Sequence, residues 1–427
     1  MAVRTGRPRL SIAEALSRVL GGDAPIEFSA YDGSRSGPPE ASVRVELRSP
    51  RALSYLVGSP GGLGLGRAYV AGELDVHGDI YEGLRALATT GIGNLTWQGR
   101  LEVLRALDPR ALRPVAPPPE EVRRSFLGVG PRHTPMRDGR VISHHYDVSN
   151  RFYRWVLGPS MAYTCAVYPR KEATLEEAQE EKFDLVCRKL GLERGQRLLD
   201  VGCGWGGMVM HAAEHYGVKA LGVTLSREQA AYAQEEIRRR GLQGLAEVRH
   251  SDYRAVHEDG FDAVSSIGLT EHIGKAQLGA YARHLHARLR PGGRLLNHCI
   301  MRPTTKGPSV VKRGFINRYV FPDGELEGLG TVVGALQDHG LEVRHEEGLR
   351  EHYALTLRDW GRNLDEHWDD AVAEIGEGKA RVWRVYMAGS RLGFERGSIE
   401  LHQVLCVKAD RGDARFALRP DFERPRP

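Results

Sequence analysis

The chain has 427 residues, of which 41% are hydrophobic and 27% are charged. This composition is typical of a folded globular protein and excludes a disordered chain or a fibre, and the length predicts two domains rather than one. The formal net charge of +5 favours an anionic partner, either a nucleic acid or an anionic membrane face.

The first residues and the cysteines exclude further classes. The start MAVRTGRPRLSIAEALSRVL lacks the uninterrupted apolar run of a signal peptide, and no later segment approaches the ~20 apolar residues of a bilayer span. We therefore expect a cytoplasmic protein. Five cysteines, an odd number without a CxxC pair, argue against a disulfide framework or a zinc ribbon, and we expect no bound metal.

Residues 1–115 alternate helical patterns with glycine-rich turns and predict a smaller amino-terminal domain. The second half of GSPGGLGLGRAYVAGELDVHGDIYEGLRAL predicts a strand, a turn and a helix. The stretches RPVAPPPEE and GVGPRHTPMRDG are rich in proline and glycine and lack apolar periodicity, so we place a linker over residues 116–142. The second domain then spans residues 143–427.

The second domain alternates predicted helices with predicted strands. In chain order they are a helix over 174–192, the strand RLLDV (197–201), a helix over 207–217, the strand KALGVTL (219–225), a helix over 226–241, the strands AEVRH (246–250) and FDAVSSIG (261–268), a helix over 280–293, and the strand RLLNHCI (294–300). This alternation predicts an α/β fold with a mostly parallel, doubly wound sheet.

The loop DVGCGWGG joins the first of these strands to the following helix. Gly202 and Gly204 lack a Cβ, which lets the backbone approach a ligand, and the helix N-terminus offers free N–H groups. An NAD site would want an acid at the end of the next strand, but Thr224 and Gln229 stand there as neutral partners for a ribose. The strand after it ends in HSDYR, with an acid and an aromatic residue to meet an adenine. The pattern favours S-adenosylmethionine over NAD, although the loop alone could be a tight turn without a ligand.

Six motifs follow one another in this domain: SHHYDVSNRFYRWVLGPSMAYTCAVYP, LLDVGCGWGG, GVTLSREQ, SIGLTEHIG, INRYVFPDGELE and IELHQVL. Together they resemble the cyclopropane-fatty-acid synthase family, S-adenosylmethionine-dependent enzymes that act on unsaturated acyl chains. LGLGRAYVAGELDVHGDIYEGL resembles the amino-terminal α+β lipid-binding domain of the long, phospholipid-using members. The length and FERGSIELHQVL resemble the actinobacterial branch that makes 10-methylene fatty acids, the precursors of tuberculostearic acid. The resemblance implies a Rossmann-like class I methyltransferase fold.

The resemblance also implies the reaction. S-adenosylmethionine would give a methyl or methylene group to the cis double bond of an acyl chain in a phospholipid, with oleoyl to 10-methylene-stearoyl favoured and a cyclopropane as the alternative. An alkene is a poor nucleophile, so the reaction needs a dry, aligned site, and it leaves a carbocation that a base must deprotonate. In the family the base is a bound bicarbonate, and the matching catalytic positions here are Cys165, Glu271, His298, Ile300 and Tyr353. The matching cofactor-binding positions are Tyr163, Thr164, Gly202, Gly204, Thr224, Gln229, Asp252 and Tyr253.

Several of these residues have a structural alternative. Cys165 alone would be a buried thiol, His298 a core histidine and Tyr353 a packing residue. Thr224 could cap a helix. The position of Glu271 favours a functional role, because it follows a strand end and ligands of such sheets bind at strand ends.

Three residues depart from the family pattern. Thr270 replaces a phenylalanine before the Glu-His pair, Val167 replaces an aromatic residue, and His402 replaces the tryptophan of Leu-Trp-Gln. We expect them near the acyl pocket, where they affect the product rather than the cofactor.

Two other functions remain as alternatives. A nucleic-acid methyltransferase would suit the positive charge, but the Asn-Pro-Pro-Tyr-type stretch that follows the fourth strand in amino-methylating enzymes is replaced by GLTEH, so we expect no nucleic-acid partner. A non-catalytic lipid-binding protein is the more remote alternative. The expected partners are an unsaturated phospholipid, the anionic inner membrane face, and a separate flavin or nicotinamide reductase acting on a methylene product. A homodimer is left open.

Overall fold

The computed structural model describes residues 10–21, 24–59, 61–89, 113–122, 133, 137, 149–307 and 314–423. These residues fall into two compact units. The first unit holds the described residues up to Val122 and also those of Lys312–Val320 and Trp368–Leu392, and the second unit holds the rest. The first unit thus includes two segments from the part of the chain assigned to the second domain, and most of the linker predicted over 116–142 lies outside the described residues.

The first unit is a mixed α+β structure. Its helices are Ile12–Leu16, Pro50–Gly58, Gly62–Val70, Ile80–Thr89, Ile316–Tyr319, Trp368–Ile375 and most of Glu377–Glu395, and its strands are β1 (Ile26–Ala30), β2 (Arg35–Ser36), β3 (Val43–Leu47) and β4 (Leu74–His77). The strand order is β2-β1-β3-β4, with β1 and β3 parallel. Strand β4 and the helix after it confirm the predicted strand, turn and helix.

Local sequence explains two of these helices, and one late segment is tied to the sheet. Ser11 and Glu14 form a reciprocal capping box at the first helix, and Ser49 caps the helix that Pro50 opens. The Arg381 guanidinium, from the late helix, lies 3.3 Å from a carboxylate oxygen of Asp75 in β4. This ion pair is one of the contacts between the late segment and the sheet of the first unit.

The second unit carries the doubly wound sheet. Its helices are Asn150–Leu157, Leu175–Leu190, Gly207–Tyr216, Arg227–Arg239, Leu278–Arg288, Leu329–Gln337 and Arg350–Glu366. Its strands are β5 (Arg197–Val201), β6 (Lys219–Thr224), β7 (Ala246–His250), β8 (Phe261–Ile267), β9 (Leu289–Met301), β10 (Glu342–Gly348) and β11 (Glu400–Val407). The order is β10-β11-β9-β8-β5-β6-β7, and β11 runs antiparallel to both of its neighbours. The prediction of a mostly parallel, doubly wound sheet is confirmed.

One predicted helix boundary was wrong. The helix predicted over 280–293 ends at Arg288, and β9 begins directly after it at Leu289. Pro291 disfavours a helical residue before it, and Gly292 adopts a φ of 76°. The chain therefore turns into a strand earlier than the apolar pattern indicated.

The parallel strands direct their carboxyl ends to one edge of the sheet, and two apolar clusters fill its two faces. One cluster joins the sheet to the helices Leu175–Leu190, Gly207–Tyr216 and Arg227–Arg239, and the other joins it to Leu278–Arg288 and Leu329–Gln337. The sheet is thus held rigid on both sides, which fixes the loops at its carboxyl edge. No helix in the described part of the chain is both long and apolar enough to cross a membrane.

Two glycine substitutions should change stability in opposite directions. A Cβ on Gly222 in β6 would meet Val209 Cγ2 at 2.7 Å and Cys203 Sγ at 2.8 Å, so we expect Gly222→Ala to lower the free energy of unfolding by about 1–3 kcal/mol. The matched control Gly334→Ala lies within the helix Leu329–Gln337 with no atom within 4 Å of the new Cβ and should raise it by about 0.5–1 kcal/mol. Urea unfolding measures both, and a stabilised Gly222→Ala variant would contradict the packing described for β6.

Candidate active site

The loop after β5 is shaped by three glycines with positive φ. Gly202, Gly204 and Gly206 have φ values of 74°, 53° and 80°, a region that glycine enters without steric cost. The backbone N–H groups of Gly202 and Cys203 both donate to the carbonyl of Val223, at 2.9 and 3.0 Å, which ties the loop to β6. A Cβ on Gly204 would meet no atom within 4 Å, so this backbone faces open space that a ligand can enter.

A cavity opens over this glycine loop, and we refer to it as the glycine-loop cavity. Five of the eight predicted cofactor residues line it: Tyr163, Thr164, Gly202, Gly204 and Gln229. Met161, Lys182, Asp200 and Trp205 also contribute to its wall. The loop and two segments distant in sequence thus line one cavity.

The remaining three predicted cofactor residues make other contacts. The buried Thr224 hydroxyl donates to Gln229 Oε1 at 2.7 Å, so it orients the glutamine side chain. Asp252 is engaged by the guanidinium of Arg254, with contacts of 2.6 and 2.8 Å. The Tyr253 ring packs edge-on against Tyr281. Before Asp252 could bind an adenine, it would have to share or release Arg254.

The helix Leu175–Leu190 carries polar residues on its buried face, which the sequence analysis missed. Gln179, Lys182, Val186 and Lys189 follow the 3-4-3 spacing of one helical face, and each is at most 1% exposed. Charged residues inside an otherwise buried helical face were the available signal, because such groups are seldom buried without a partner or a role.

Lys182 and Asp200 bring ionisable groups into the glycine-loop cavity. Lys182 Nζ donates to Thr164 Oγ1 at 3.0 Å, and Asp200 accepts from the Ser265 hydroxyl at 2.6 Å. Burial lowers the pKa of Lys182 to about 7 and raises the pKa of Asp200 to about 7. Both groups can therefore change charge near neutral pH when a ligand enters.

Glu271 occupies the turn Thr270–His272 that follows β8. Its Oε1 accepts a hydrogen bond of 2.6 Å from the backbone N–H of Ile300 near the end of β9. Its Oε2 is shielded from solvent and has no hydrogen-bond partner among the described residues. Burial raises the pKa of the carboxyl group to about 7, although the bond from Ile300 acts in the opposite direction. The family pattern includes Ile300. In this structure its backbone N–H fixes the position of the Glu271 carboxyl group by donating to it.

His298 lies two residues before Ile300 on β9. Its ring Nδ1 is 3.2 Å from Gln403 Nε2 in the neighbouring strand β11. Its Nε2 is buried and has no partner within the described part of the chain. Burial and the charges of Lys182 and Lys189 hold the pKa of His298 well below its usual value, so the imidazole is neutral.

Hydrogen bonds that involve the backbone of Leu349 connect Cys165 and Tyr353 to strand β11. The Cys165 thiol donates to the Ala166 carbonyl at 3.1 Å and lies 3.8 Å from that of Leu349. The Tyr353 N–H donates to the Leu349 carbonyl, and the Leu349 N–H donates to Leu401, which pairs with Ile300 in the sheet. Burial raises the pKa of the Cys165 thiol, so it stays protonated and is unsuited to nucleophilic attack.

The structure shows what surrounds the three departures from the family pattern. The buried Thr270 donates its hydroxyl to Asn297 Oδ1 at 2.7 Å. Val167 is buried and its N–H donates to the Ala178 carbonyl. His402 lies within hydrogen-bond distance of both Glu346 and Glu400 in the β10 and β11 region.

The fold and the glycine-loop cavity define a class I S-adenosylmethionine-dependent methyltransferase. A family model described as mycolic acid cyclopropane synthetase matches residues 133–404. The chain belongs to this family, which confirms the resemblance drawn from its motifs. No group of three or more potential metal ligands occurs within the ranges that the structure describes.

Three relatives illustrate the similarity. Rv3720 of Mycobacterium tuberculosis, a probable fatty acid methyltransferase, is 53% identical over 422 residues, which cover 96% of this chain and 98% of that protein. The tuberculostearic acid methyltransferase UfaA1 of the same organism is 30% identical over 411 residues, or 93% of this chain and 91% of that protein. The crystal structure of mycolic acid cyclopropane synthase CmaA1 complexed with SAH and CTAB matches with a TM-score of 0.59 and 32% identity, covering 63% of this chain and 97% of that one.

The raised pKa of Glu271 predicts a pH-dependent difference between wild type and Glu271→Gln. The folded state keeps the proton up to about pH 7, whereas the ordinary pKa of a glutamate is 4.5. The carboxyl group therefore contributes most to stability below about pH 4.5 and loses that contribution as the pH rises through about 7. The amide has no such titration and still accepts from Ile300. The melting temperature of the variant relative to wild type should therefore increase across this window, and a constant difference would contradict the buried Oε2.

Proposed function

We propose that this protein transfers a one-carbon unit from S-adenosylmethionine to the cis double bond of an unsaturated acyl chain in a phospholipid. The observation that carries the proposal is a pair of buried polar atoms without hydrogen-bond partners among the described residues, Glu271 Oε2 and His298 Nε2. They occur in a family whose fold supplies a cofactor cavity. Buried polar atoms are nearly always satisfied, so two such atoms at neighbouring strand ends are consistent with a small polar ligand.

The glycine-loop cavity fits S-adenosylmethionine. Open space beside Gly204 accepts a ligand next to the backbone, Gln229 offers an amide, and Asp200 offers a carboxyl group to an amine. Tyr163 contributes an aromatic face near the sulfonium position implied by the family pattern. When bound, S-adenosylmethionine would supply an electrophilic methyl group.

The unpartnered Glu271 Oε2 and His298 Nε2 support a small oxyanion such as bicarbonate as their ligand. When bound, bicarbonate supplies a base that need not be covalently attached. Glu271, with a pKa of about 7, can donate or accept a hydrogen bond to the oxyanion at neutral pH. Neutral His298 can donate or accept a hydrogen bond through Nε2. These two side chains hold and orient a proton acceptor without themselves being consumed.

Aromatic side chains surround Tyr353 and can protect a cation that forms on the acyl chain. Tyr353 stacks on Phe394 at 4.5 Å between ring centroids and meets Trp360 edge-on at 6.0 Å, and Trp360 lies 5.3 Å from Tyr163. Such rings exclude water and present negative faces to a positive charge. Water would otherwise trap the cation as an alcohol.

The acyl substrate is supported by the relatives. Rv3720 is named as a probable fatty acid methyltransferase and UfaA1 as a tuberculostearic acid methyltransferase. We favour oleoyl to 10-methylene-stearoyl, with a cyclopropane as the alternative that the similarity to CmaA1 keeps open. A phospholipid substrate would bring the enzyme to the inner membrane face as a peripheral protein, and a methylene product would need a separate flavin or nicotinamide reductase.

The product can be tested directly. The purified protein is incubated with S-adenosylmethionine and a dioleoyl phospholipid in vesicles, and the acyl chains are then examined by proton NMR. We expect vinylidene signals. Both candidate products add the same CH₂, so mass alone does not separate them. Upfield cyclopropyl protons as the main product would refute the methylene assignment, and an unmodified oleoyl chain would refute the proposed activity.

Glu271→Gln should retain cofactor binding and lose turnover by on the order of 10²-fold, because an amide cannot share a proton with an oxyanion as the carboxyl does. Removal of carbon dioxide from the buffer should slow the wild type and affect the variant little. Glu247→Gln, an exposed acid-to-amide change, serves as the control. S-adenosylhomocysteine binding is measured in parallel, and full turnover in Glu271→Gln would remove Glu271 from the proposal.

A further inference from the structure

Two buried side chains, Lys189 and Gln403, form a hydrogen-bonded chain that reaches His298 at its Nδ1, on the other side of the ring from Nε2. Lys189 Nζ, from the helix Leu175–Leu190, donates to Gln403 Oε1 at 2.7 Å. Gln403 Nε2 lies 3.2 Å from His298 Nδ1. All three side chains are at most 1% exposed, so water does not compete for these contacts.

The donors and acceptors of this chain allow one arrangement. Burial lowers the pKa of Lys189, but its ion pair with the Glu347 carboxylate opposes this shift and favours the ammonium form. An ammonium group only donates. Gln403 must therefore turn Oε1 toward Lys189, which leaves Nε2 to donate to the ring. Nδ1 of His298 must then carry the lone pair, and in a neutral ring the proton resides on Nε2.

The reversed arrangement places donors against donors. With the amide flipped, its NH₂ group would face the Lys189 ammonium in a region without solvent, and leaving buried donors unmatched costs about 1–3 kcal/mol. With the amide in its observed orientation, an imidazolium ring would direct its Nδ1–H at the amide NH₂ group. The neutral Nε2–H tautomer is the one that satisfies the three groups together.

We propose that Gln403 and Lys189 are positioning residues, which hold His298 in the Nε2–H tautomer so that it donates a hydrogen bond to an anionic oxygen held with Glu271. The role of that oxyanion rests on the proposed function, whereas the tautomer itself does not. Glu347 secures the outer end of the chain through Lys189. His298 then acts as a neutral donor that cannot take the proton in place of the bound base.

The tautomer can be observed in the wild-type protein without any turnover. Protein labelled with ¹⁵N-histidine is studied by NMR, which distinguishes a protonated from an unprotonated ring nitrogen, and His298→Asn identifies the signal by its loss. We expect a protonated Nε2 and an unprotonated Nδ1 that persist from neutral to alkaline pH. A protonated Nδ1 in the wild type would overturn the proposal, and the variant serves only to assign the signal.

Gln403→Glu changes which nitrogen of the His298 ring must carry the proton. The new carboxylate accepts from Lys189 with one oxygen and from the ring with the other, so the proton moves to Nδ1. We expect turnover at alkaline pH to fall by on the order of 10²-fold, with S-adenosylhomocysteine binding retained and the loss growing as the pH rises, because the neutral ring then has no Nε2 proton. Full turnover at alkaline pH in a variant whose Nδ1 is protonated would overturn the proposal.

Gln234→Glu is the matched control. Its amide donates to the Val248 carbonyl at 2.8 Å in the same unit, so the change removes one amide hydrogen bond without contacting His298. It should alter stability but neither the His298 signal nor the pH profile, and an equal effect on that profile would overturn the proposal. If the wild-type tautomer is as expected but no acyl product forms, the proposed function fails while the positioning role stands.

Discussion

The hydrogen bond from the Ile300 N–H to Glu271 Oε1, at 2.6 Å, holds the candidate site together. It joins the turn after β8 to the end of β9, which the parallel pairing of these strands already places side by side. With Oε1 committed, Oε2 is directed into a buried region without a partner among the described residues. The raised pKa of Glu271 follows from this arrangement, because one backbone donor offsets only part of the cost of burying a carboxylate.

The site depends on buried polar groups that a simple core would exclude. Lys182 and Lys189 lie on one buried helical face, the first beside Asp200 and the glycine loop and the second beside Gln403. Burying an ammonium group is unfavourable unless it is paired and hydrogen-bonded, and here each bond also orients another side chain. The same helix thus positions one lysine at the glycine-loop cavity and another at the Gln403 amide that contacts His298.

Much of the fold was predictable from the sequence, because the β-α alternation and the glycine loop are local patterns. The helix end at Arg288 was missed because the apolar period of the helix extends to Leu289, which the structure places at the start of β9. Side-chain partners were not predictable: Arg254 engages Asp252, and Ile300 donates to Glu271. Such pairings depend on register and rotamers, which spacing does not encode. Polar residues on a buried helical face were a signal that could have been used.

In the proposed function, Glu271 Oε2 and His298 Nε2 bind one small oxyanion next to the cofactor. A crystal structure of the protein with S-adenosylhomocysteine and bicarbonate tests it most directly. We predict a planar oxyanion within hydrogen-bond distance of both atoms, with Glu271 Oε1 still bound to the Ile300 N–H. A structure with the cofactor bound, but with Oε2 and Nε2 turned to protein partners or to separate waters, would contradict the account.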